Sequence, residues 1–260
     1  MNKRISIIAV IAICISIAVA QPAGAVLVDL GPGSFSPLAP VITFSEYAGG
    51  TQNPVYNFTG LAGIGDITVS FGGNFVGQTA GGSYPVTLTD HSPSGPLALD
   101  PNAPKTFITG DGSNPTSPIL SGSPLYSGPI SVLFSKPVAG VALTGGWFNV
   151  IGSTSIEAYD ANGTILGSIV NTKGGEWDYE GTGLEFYGLA DSTGTNIISG
   201  ISFFITGNEP AGFGIDNLTF GYSDVIVDPD VNHSVPEPAS MLLFGAGLAG
   251  VGIFRRKFRA

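Results

Sequence analysis

A β-hairpin is encoded most clearly by the stretch Ile156-Glu-Ala-Tyr-Asp-Ala-Asn-Gly-Thr-Ile-Leu-Gly-Ser168. Apolar and polar residues alternate on both sides of Asn162-Gly163, which is the period of a strand with one buried face. The Asn-Gly pair tolerates positive φ angles and is typical of a turn between antiparallel strands. Asp160 and Asn162 could also begin a calcium loop, but no later acidic ligand follows at the required spacing, so the pattern favours a turn.

Similar β-rich runs recur from residue 26 to about residue 222, separated by Gly, Pro, Asn and Asp. The 260 residues include 39 Gly and 19 Pro, which disfavours long helices, and 43% hydrophobic residues, which excludes a disordered chain. The pattern predicts an all-β fold, an antiparallel β-sandwich of jelly-roll type over residues 26–223. Residues 92–129, rich in Pro, Ser and Gly, are either a long surface loop or an insertion between the halves of the sandwich.

The charges divide the chain into three parts. Six of the nine basic residues lie in the first four and last six positions, each group beside an apolar run. The middle carries three lysines against all 19 acidic residues, a net charge of −16. This anionic body excludes nucleic-acid binding through a basic surface, and the basic ends predict membrane-processing segments around an exported domain.

The N-terminus is typical of a secretory signal peptide over residues 1–25. Lys3 and Arg4 precede an apolar run, and small residues before Ala25 suit cleavage there, with cleavage after Ala20 as the alternative. An uncleaved anchor helix is the other interpretation, although the run is short for one. The single cysteine, Cys14, lies inside this peptide, so we expect a mature protein without disulfides.

The C-terminus has three parts in a fixed order. Residues 235–238 read Val235-Pro236-Glu237-Pro238, residues 239–254 are apolar and glycine-rich, and residues 255–260 contain Arg255, Arg256, Lys257 and Arg259. This tail resembles the PEP-CTERM sorting signal. The resemblance implies an exported bacterial protein, carried by the general secretion machinery, that an exosortase recognises and cleaves at the Pro-Glu-Pro motif.

The physical character of each part agrees with that resemblance. A helix of the 16 residues 239–254 measures about 24 Å at 1.5 Å per residue, shorter than the hydrocarbon core of about 30 Å, so it predicts a transient span of the inner membrane. The basic cluster keeps the C-terminus in the cytoplasm. Residues 224–234 are acidic and are predicted to be a linker that presents the motif. The Gly245 to Gly250 pattern matches a dinucleotide fingerprint, but it lacks a βαβ unit and predicts no such site.

Candidate catalytic residues are few. A Ser-His-Asp triad would have to use His91, which we interpret as a solvated loop residue, and the histidine and cysteine inventory excludes a zinc site. Acids and aromatics are densest in Glu176-Trp-Asp-Tyr-Glu180, with Glu185 nearby. Paired carboxylates can hydrolyse glycosides, but a hairpin with acids facing water explains the same cluster, so a hydrolase is the remote alternative.

Binding residues are the second class of candidates. Aromatic side chains can stack on sugar rings, and the candidates for such a platform are Trp147, Trp177, Tyr179 and Tyr187. The stretch Gly212-Phe-Gly-Ile-Asp-Asn-Leu-Thr-Phe220 resembles the closing strand of carbohydrate-binding sandwich modules. In such modules the aspartate often binds calcium, so Asp216 is a candidate calcium ligand, although Asn217 replaces a second acid.

Two functions therefore stay open. The first is a non-enzymatic exported protein of the cell surface or extracellular matrix, associated by resemblance with exopolysaccharide and biofilm. The second is a polysaccharide-binding module. No cofactor other than structural calcium is expected.

Overall fold

The computed structural model describes residues 26–231, except residues 62, 64, 83, 111–117, 147, 175–183 and 211. The described part is all-β, as predicted, with one short 3₁₀ helix at Ser223–Val225. Its strands are β1 (Leu27–Asp29), β2 (Val41–Ile42), β3 (Val55–Leu61), β4 (Gly65–Gly72), β5 (Thr79–Gly81), β6 (Thr87–Asp90), β7 (Phe107–Gly110), β8 (Pro118–Ser121), β9 (Ile130–Val138), β10 (Gly140–Gly146), β11 (Thr154–Tyr159), β12 (Ile165–Val170), β13 (Glu185–Asp191), β14 (Ile198–Ile205) and β15 (Gly214–Gly221).

The strands form two sheets. The first has the order β1-β13-β10-β15-β8-β7, with β2 also paired to β15. The second has the order β12-β11-β14-β9-β4-β3, with β6 beside the end of β14 and β5 beside β6. The strand pairings described are antiparallel apart from the contact between Thr87 in β6 and Ile205 in β14.

The inner faces of the two sheets share one apolar core. The ring of Tyr187 in β13 lies 5.3 Å from that of Phe203 in β14, and the ring of Phe220 in β15 lies 5.3 Å from that of Phe134 in β9. Because these contacts join strands of different sheets, the architecture is a two-layer sandwich stabilised by burial of apolar surface. The jelly-roll order of its connections stays a prediction.

The predicted hairpin is confirmed. Strands β11 and β12 pair antiparallel, and Gly163 in the turn has a φ of 80°. One carboxylate oxygen of Asp160 accepts hydrogen bonds from the backbone N–H groups of Asn162 and Thr164, both at 2.8 Å. Asp160 therefore closes the turn, which is the role that Asp has in such loops.

Residues 73–106, which we call the covering segment, include β5 and β6 at the end of the second sheet, and the parts before and after these strands pack on its outer face. Phe75 is fully buried there, with its ring 5.5 Å from that of Tyr159 in β11. The backbone N–H of Leu97 donates to Ala161 O at 2.9 Å, beside the hairpin. The chain then supplies β7 and β8 to the first sheet. The segment 92–129 is thus divided between a cover for one sheet and an extension of the other.

The predicted linker requires a correction, because residues 224–231 pack against the sandwich. Ile226 and Val231 are 1% and 2% exposed and share a buried cluster with Leu30, Ala139 and Ala190. Ile226 also forms a β-bridge with Phe35. The segment packs because its few apolar side chains are buried, although the sequence around them is acidic. The folded part therefore extends beyond residue 223.

The chain enters and leaves the described domain at the same end of the sandwich. Ser192 N donates to Val26 O at 2.8 Å, and Val231 packs beside Ala139, in the bend between β9 and β10. We call this the terminal end. The opposite end carries the connections after β10, β12 and β14, and we call it the loop end.

Candidate functional site

A polar cluster lies between the covering segment and the second sheet. Glu157, in the middle of β11, is 9% exposed. Its Oε1 lies 3.0 Å from Nδ1 of His91, and its Oε2 accepts a hydrogen bond of 2.9 Å from the hydroxyl of Tyr159. The carboxylate therefore joins the sheet to a residue of the covering segment. This contact was missed at the sequence level because the two residues are 66 positions apart.

Gln78 extends this cluster from within the covering segment. Its Nε2 donates to the hydroxyl of Tyr159 at 2.9 Å, and its Oε1 accepts from the backbone N–H of Phe75 at 2.8 Å. Nearby, the hydroxyls of Ser131 and Ser202 are 2.8 Å apart. Buried polar groups that satisfy one another in this way fix a single arrangement of the backbone around them.

The two nitrogens of His91 have different partners. Nε2 lies 2.9 Å from the carbonyl oxygen of Leu88, so this nitrogen must donate. The contact of 3.0 Å between Nδ1 and Oε1 of Glu157 ties the other side of the ring to β11. A histidine that acts as a base beside a carboxylate uses the lone pair of its Nε2, which is not available in this arrangement.

The sequence interpretation of His91 as a solvated loop residue is correct only in part, since the residue lies outside the strands but its ring is held on both sides. Its side chain is 38% exposed, is bonded through both nitrogens and contacts the ring of Phe204 at 4.6 Å. Burial, followed by the neighbouring charge of Glu157, raises the pKa of Tyr159. Tyr159 therefore stays protonated, and its hydroxyl donates a hydrogen bond to Glu157. The cluster is thus suited to holding the covering segment in place.

A second buried acid, Glu209, organises the loop end. It is 0% exposed, and its carboxylate accepts from the backbone N–H of Asn149 at 2.8 and 2.9 Å. The hydroxyl of Ser153 donates to Oε2 at 2.5 Å. Glu209 thus ties the connection after β14 to the connection after β10. No sequence signal could have found it, because most of its partners are backbone groups.

Of the four aromatic residues predicted to form a sugar platform, the structure describes only Tyr187. Trp147, Trp177 and Tyr179 lie outside the described residues, as does the acidic cluster from Glu176 to Glu180. Tyr187 is 2% exposed and packs against Phe148 and Phe203, so its assignment to an exposed platform is wrong. Its place in β13, with the inward side chains of that strand, is the physical reason.

Other exposed side chains at the loop end were missed. Tyr84 is 57% exposed, and its hydroxyl donates to Pro210 O at 3.3 Å. Val150 and Ile151, in the loop held by Glu209, are 43% and 67% exposed. Glu185, proposed as a member of the acidic cluster, accepts from the backbone N–H groups of Thr172 and Lys173 at 2.8 and 3.1 Å.

Asp216, the candidate calcium ligand, is 9% exposed, and Asn217 contacts both of its oxygens. The backbone N–H of Asn217 donates to Oδ1 at 2.7 Å and its side-chain amide donates to Oδ2 at 3.1 Å. Among the described residues, no group of three or more His, Cys, Asp and Glu side chains is arranged to hold a metal ion. Calcium binding at Asp216 stays a prediction.

Comparison with known proteins identifies the C-terminal segment. Residues 234–257 match the family model described as the PEP-CTERM protein-sorting motif. The chain carries a PEP-CTERM sorting motif. The match contains Val235, Pro236, Glu237 and Pro238 together with Arg255, Arg256 and Lys257, which confirms the resemblance seen in the sequence. Such a motif implies an exported protein that is processed by an exosortase.

The PEP-CTERM motif begins three positions after Val231, the last described residue. The motif, the predicted membrane span 239–254 and the predicted signal peptide all lie outside the described residues. Within residues 26–231, as far as they are described, no helix is long and apolar enough to cross a membrane. In sequence, the sorting segment follows closely after Val231, which lies at the terminal end of the sandwich.

The other comparisons concern the rest of the chain. No curated protein matches it. One solved structure with similarity is the enzymatically active domain of bacteriophage CBA120 tailspike protein 4, with 18% sequence identity and a TM-score of 0.26. The match covers 60% of this chain and 19% of that chain, so this chain spans about a fifth of the tailspike domain's length.

Proposed function

We propose that this protein is a non-enzymatic exported protein of the cell surface or extracellular matrix. Its tail holds it briefly at the inner membrane until an exosortase cleaves the motif. The single observation that carries this proposal is the sorting motif at residues 234–257, placed directly after a folded β-domain. By resemblance, the released protein acts together with exopolysaccharide in a biofilm.

The position of both chain ends supports this proposal. The predicted signal peptide precedes Val26 and the sorting motif follows Val231, and both of these residues lie at the terminal end. In the precursor both membrane segments leave from one end, and after removal of the signal peptide the sorting tail holds that end at the membrane, with the loop end directed outward.

Intact mass spectrometry of the released protein tests the processing. We expect the mass to lack residues 1–25 and the basic tail from Arg255 onward. A Glu237→Ala variant should stay with the membrane fraction, whereas a Val227→Ala variant, changed at an exposed position before the motif, should be released normally. A released protein that retains Arg255 to Ala260 would contradict the proposal.

A second candidate function is binding of a polysaccharide at the loop end. Exposed Tyr84, Val150 and Ile151 favour it, since Val150 and Ile151 lie in the connection after β10 and the hydroxyl of Tyr84 donates to Pro210 O in the connection after β14. The strongly anionic body disfavours acidic polymers unless divalent cations bridge them. The most suitable ligands are thus neutral chains that can stack on aromatic rings.

Affinity electrophoresis in gels containing the host's own exopolysaccharide tests this second function. Retardation that weakens in Trp177→Ala and Tyr84→Ala, but not in the control Val227→Ala at the terminal end, would support it. Equal mobility with and without polysaccharide would contradict it. The hydrolase alternative predicts new reducing ends in the same mixture, and their absence would remove it.

A further inference from the structure

Asp191, at the end of β13, is a buried acid with one unpartnered oxygen. It is 1% exposed. Its Oδ2 accepts from the backbone N–H groups of Thr193 and Thr195, at 3.2 and 2.8 Å, and from the hydroxyl of Thr193. Its Oδ1 is buried and has no hydrogen-bond donor among the described residues. One half of the carboxylate is satisfied by its own turn, and the other half is not.

Such an oxygen indicates a missing partner. A buried carboxyl oxygen without a donor is costly, and native proteins pair nearly all such groups. The body around it is anionic, with three lysines against 19 acids, so a cationic group brought to this end would also relieve repulsion. The partner that fits is a donor that carries positive charge.

The neighbouring strand β1 brings the chain's first described residues beside the backbone of Asp191. Leu27 lies directly opposite Asp191 in the antiparallel register, and Ser192 N donates to Val26 O at 2.8 Å. The backbone nitrogen of Val26 is therefore one residue from the position opposite Asp191. Val26 is also the residue that follows the predicted signal-peptide cleavage site.

We propose that cleavage after Ala25 turns the nitrogen of Val26 into an α-ammonium group that binds Oδ1 of Asp191. In the precursor this nitrogen belongs to a peptide bond, with one donor and no charge. Hydrolysis of that bond leaves the carboxylate of Ala25 on the signal peptide and an ammonium with three donors on Val26. The new ion pair fixes β1 to β13, so removal of the signal peptide stabilises the terminal end.

This inference rests on the signal-peptide part of the proposed function. It goes further in one respect: the sandwich reaches its full stability only after the signal peptide has been removed. An N-terminal extension would move the ammonium away from Asp191 and leave Oδ1 unpaired, even though every other contact of β1 is unchanged.

The test uses the full chain exported by its host, with Gly-Ser inserted between Ala25 and Val26 in one variant. Mass spectrometry first reads the mature N-terminus. We expect the insertion to lower the melting temperature of the mature protein by about 3–6 °C. This is the shift that the loss of one or two partly buried interactions produces in a domain of this size. In the Asp191→Asn background the same insertion should change the melting temperature by less than about 1 °C.

A second measurement does not depend on the folding of the Asp191 variant. An amine-specific acylating reagent at neutral pH should modify Val26 of the unaltered protein at least tenfold more slowly than the N-terminus of the insertion variant. Equal rates, or an equal loss of stability in both backgrounds, would overturn the inference. A mature N-terminus at Gln21 would also overturn it while leaving export and tail processing intact.

Discussion

The two faces of the second sheet are buried by different chemistry. The inner face packs Ile156, Ile201 and Phe203 against the first sheet. The outer face carries Glu157, Tyr159 and Ser202, which the covering segment pairs with polar partners in addition to the apolar contact from Phe75. An apolar layer tolerates many arrangements of similar volume, whereas each group of a buried polar layer requires its own partner. We infer that the inner layer stabilises the fold and the outer layer fixes one position of the covering segment.

The largest effect should come from the inner layer. Phe203 is fully buried, with ring contacts to Tyr187 at 5.3 Å and Phe213 at 4.5 Å. Phe203→Ala should lower the free energy of unfolding by about 3–5 kcal/mol, because it removes apolar contacts and leaves a cavity. Thermal unfolding measures this, and the exposed control Val227→Ala should stay within about 0.5 kcal/mol of the unaltered protein. Similar losses in both variants would contradict the division between layers.

The next effect should come from the outer layer. Glu157→Ala leaves His91 and Tyr159 without their shared acceptor and should cost about 2–3 kcal/mol of stability. The loss should be concentrated in the covering segment. Hydrogen exchange of the Leu97 amide, which donates to Ala161 O at 2.9 Å, reports on that segment directly.

Glu157→Gln is the matched control for this second prediction, since it keeps an acceptor oxygen in the same place. It should retain more than half of the protection of the Leu97 amide. If the Ala variant unfolds the whole domain without exposing Leu97 first, the covering segment and the sheet form one cooperative unit and the comparison fails.

These two layers also explain what the sequence could predict. The hairpin follows from Asn162-Gly163 and from alternation on either side, which is local chemistry. Alternation predicts an exposed outer face for β11, but all six residues of that strand are buried. The covering segment that buries them is distant in sequence, so no local pattern encodes the contact.

The candidate site shows the same limit. The sorting motif was recognised because its three parts are adjacent in sequence and ordered. Glu209 and Asp191 were missed, since their roles depend on backbone groups and on which strands are neighbours. The acidic composition of residues 224–231 predicted a linker. The packing of this segment depends instead on two apolar side chains, Ile226 and Val231.

Within the outer layer, loss of His91 should cost less stability than loss of Glu157. His91→Ala should cost about 1 kcal/mol, because the residue is partly exposed and its loss removes two hydrogen bonds. A double-mutant cycle with Glu157→Ala should give a coupling energy of about 0.5–2 kcal/mol. Additive losses would show that His91 and Glu157 act independently and that the contact of 3.0 Å does not hold the covering segment.

The smallest effect should appear at the terminal end, where Asp228 is held by a hydroxyl rather than by a buried layer. The hydroxyl of Ser34 donates to Asp228 at 2.6 Å and, with the backbone N–H of Asp230, lowers the pKa of that carboxyl. A lowered pKa means that the contribution of this carboxylate to stability is complete above the ordinary Asp range and is lost as the pH falls through the folded value.

Ser34→Ala should therefore raise the pKa of Asp228 toward its usual value, as measured by NMR titration of its carboxyl carbon. Melting temperatures of the two proteins should differ slightly at neutral pH and converge in acid, because the protonated carboxyl no longer favours the hydroxyl donor. A difference that persists in acid would show that Ser34 acts by packing, in which case Asp228 contributes nothing to the anchoring of the tail.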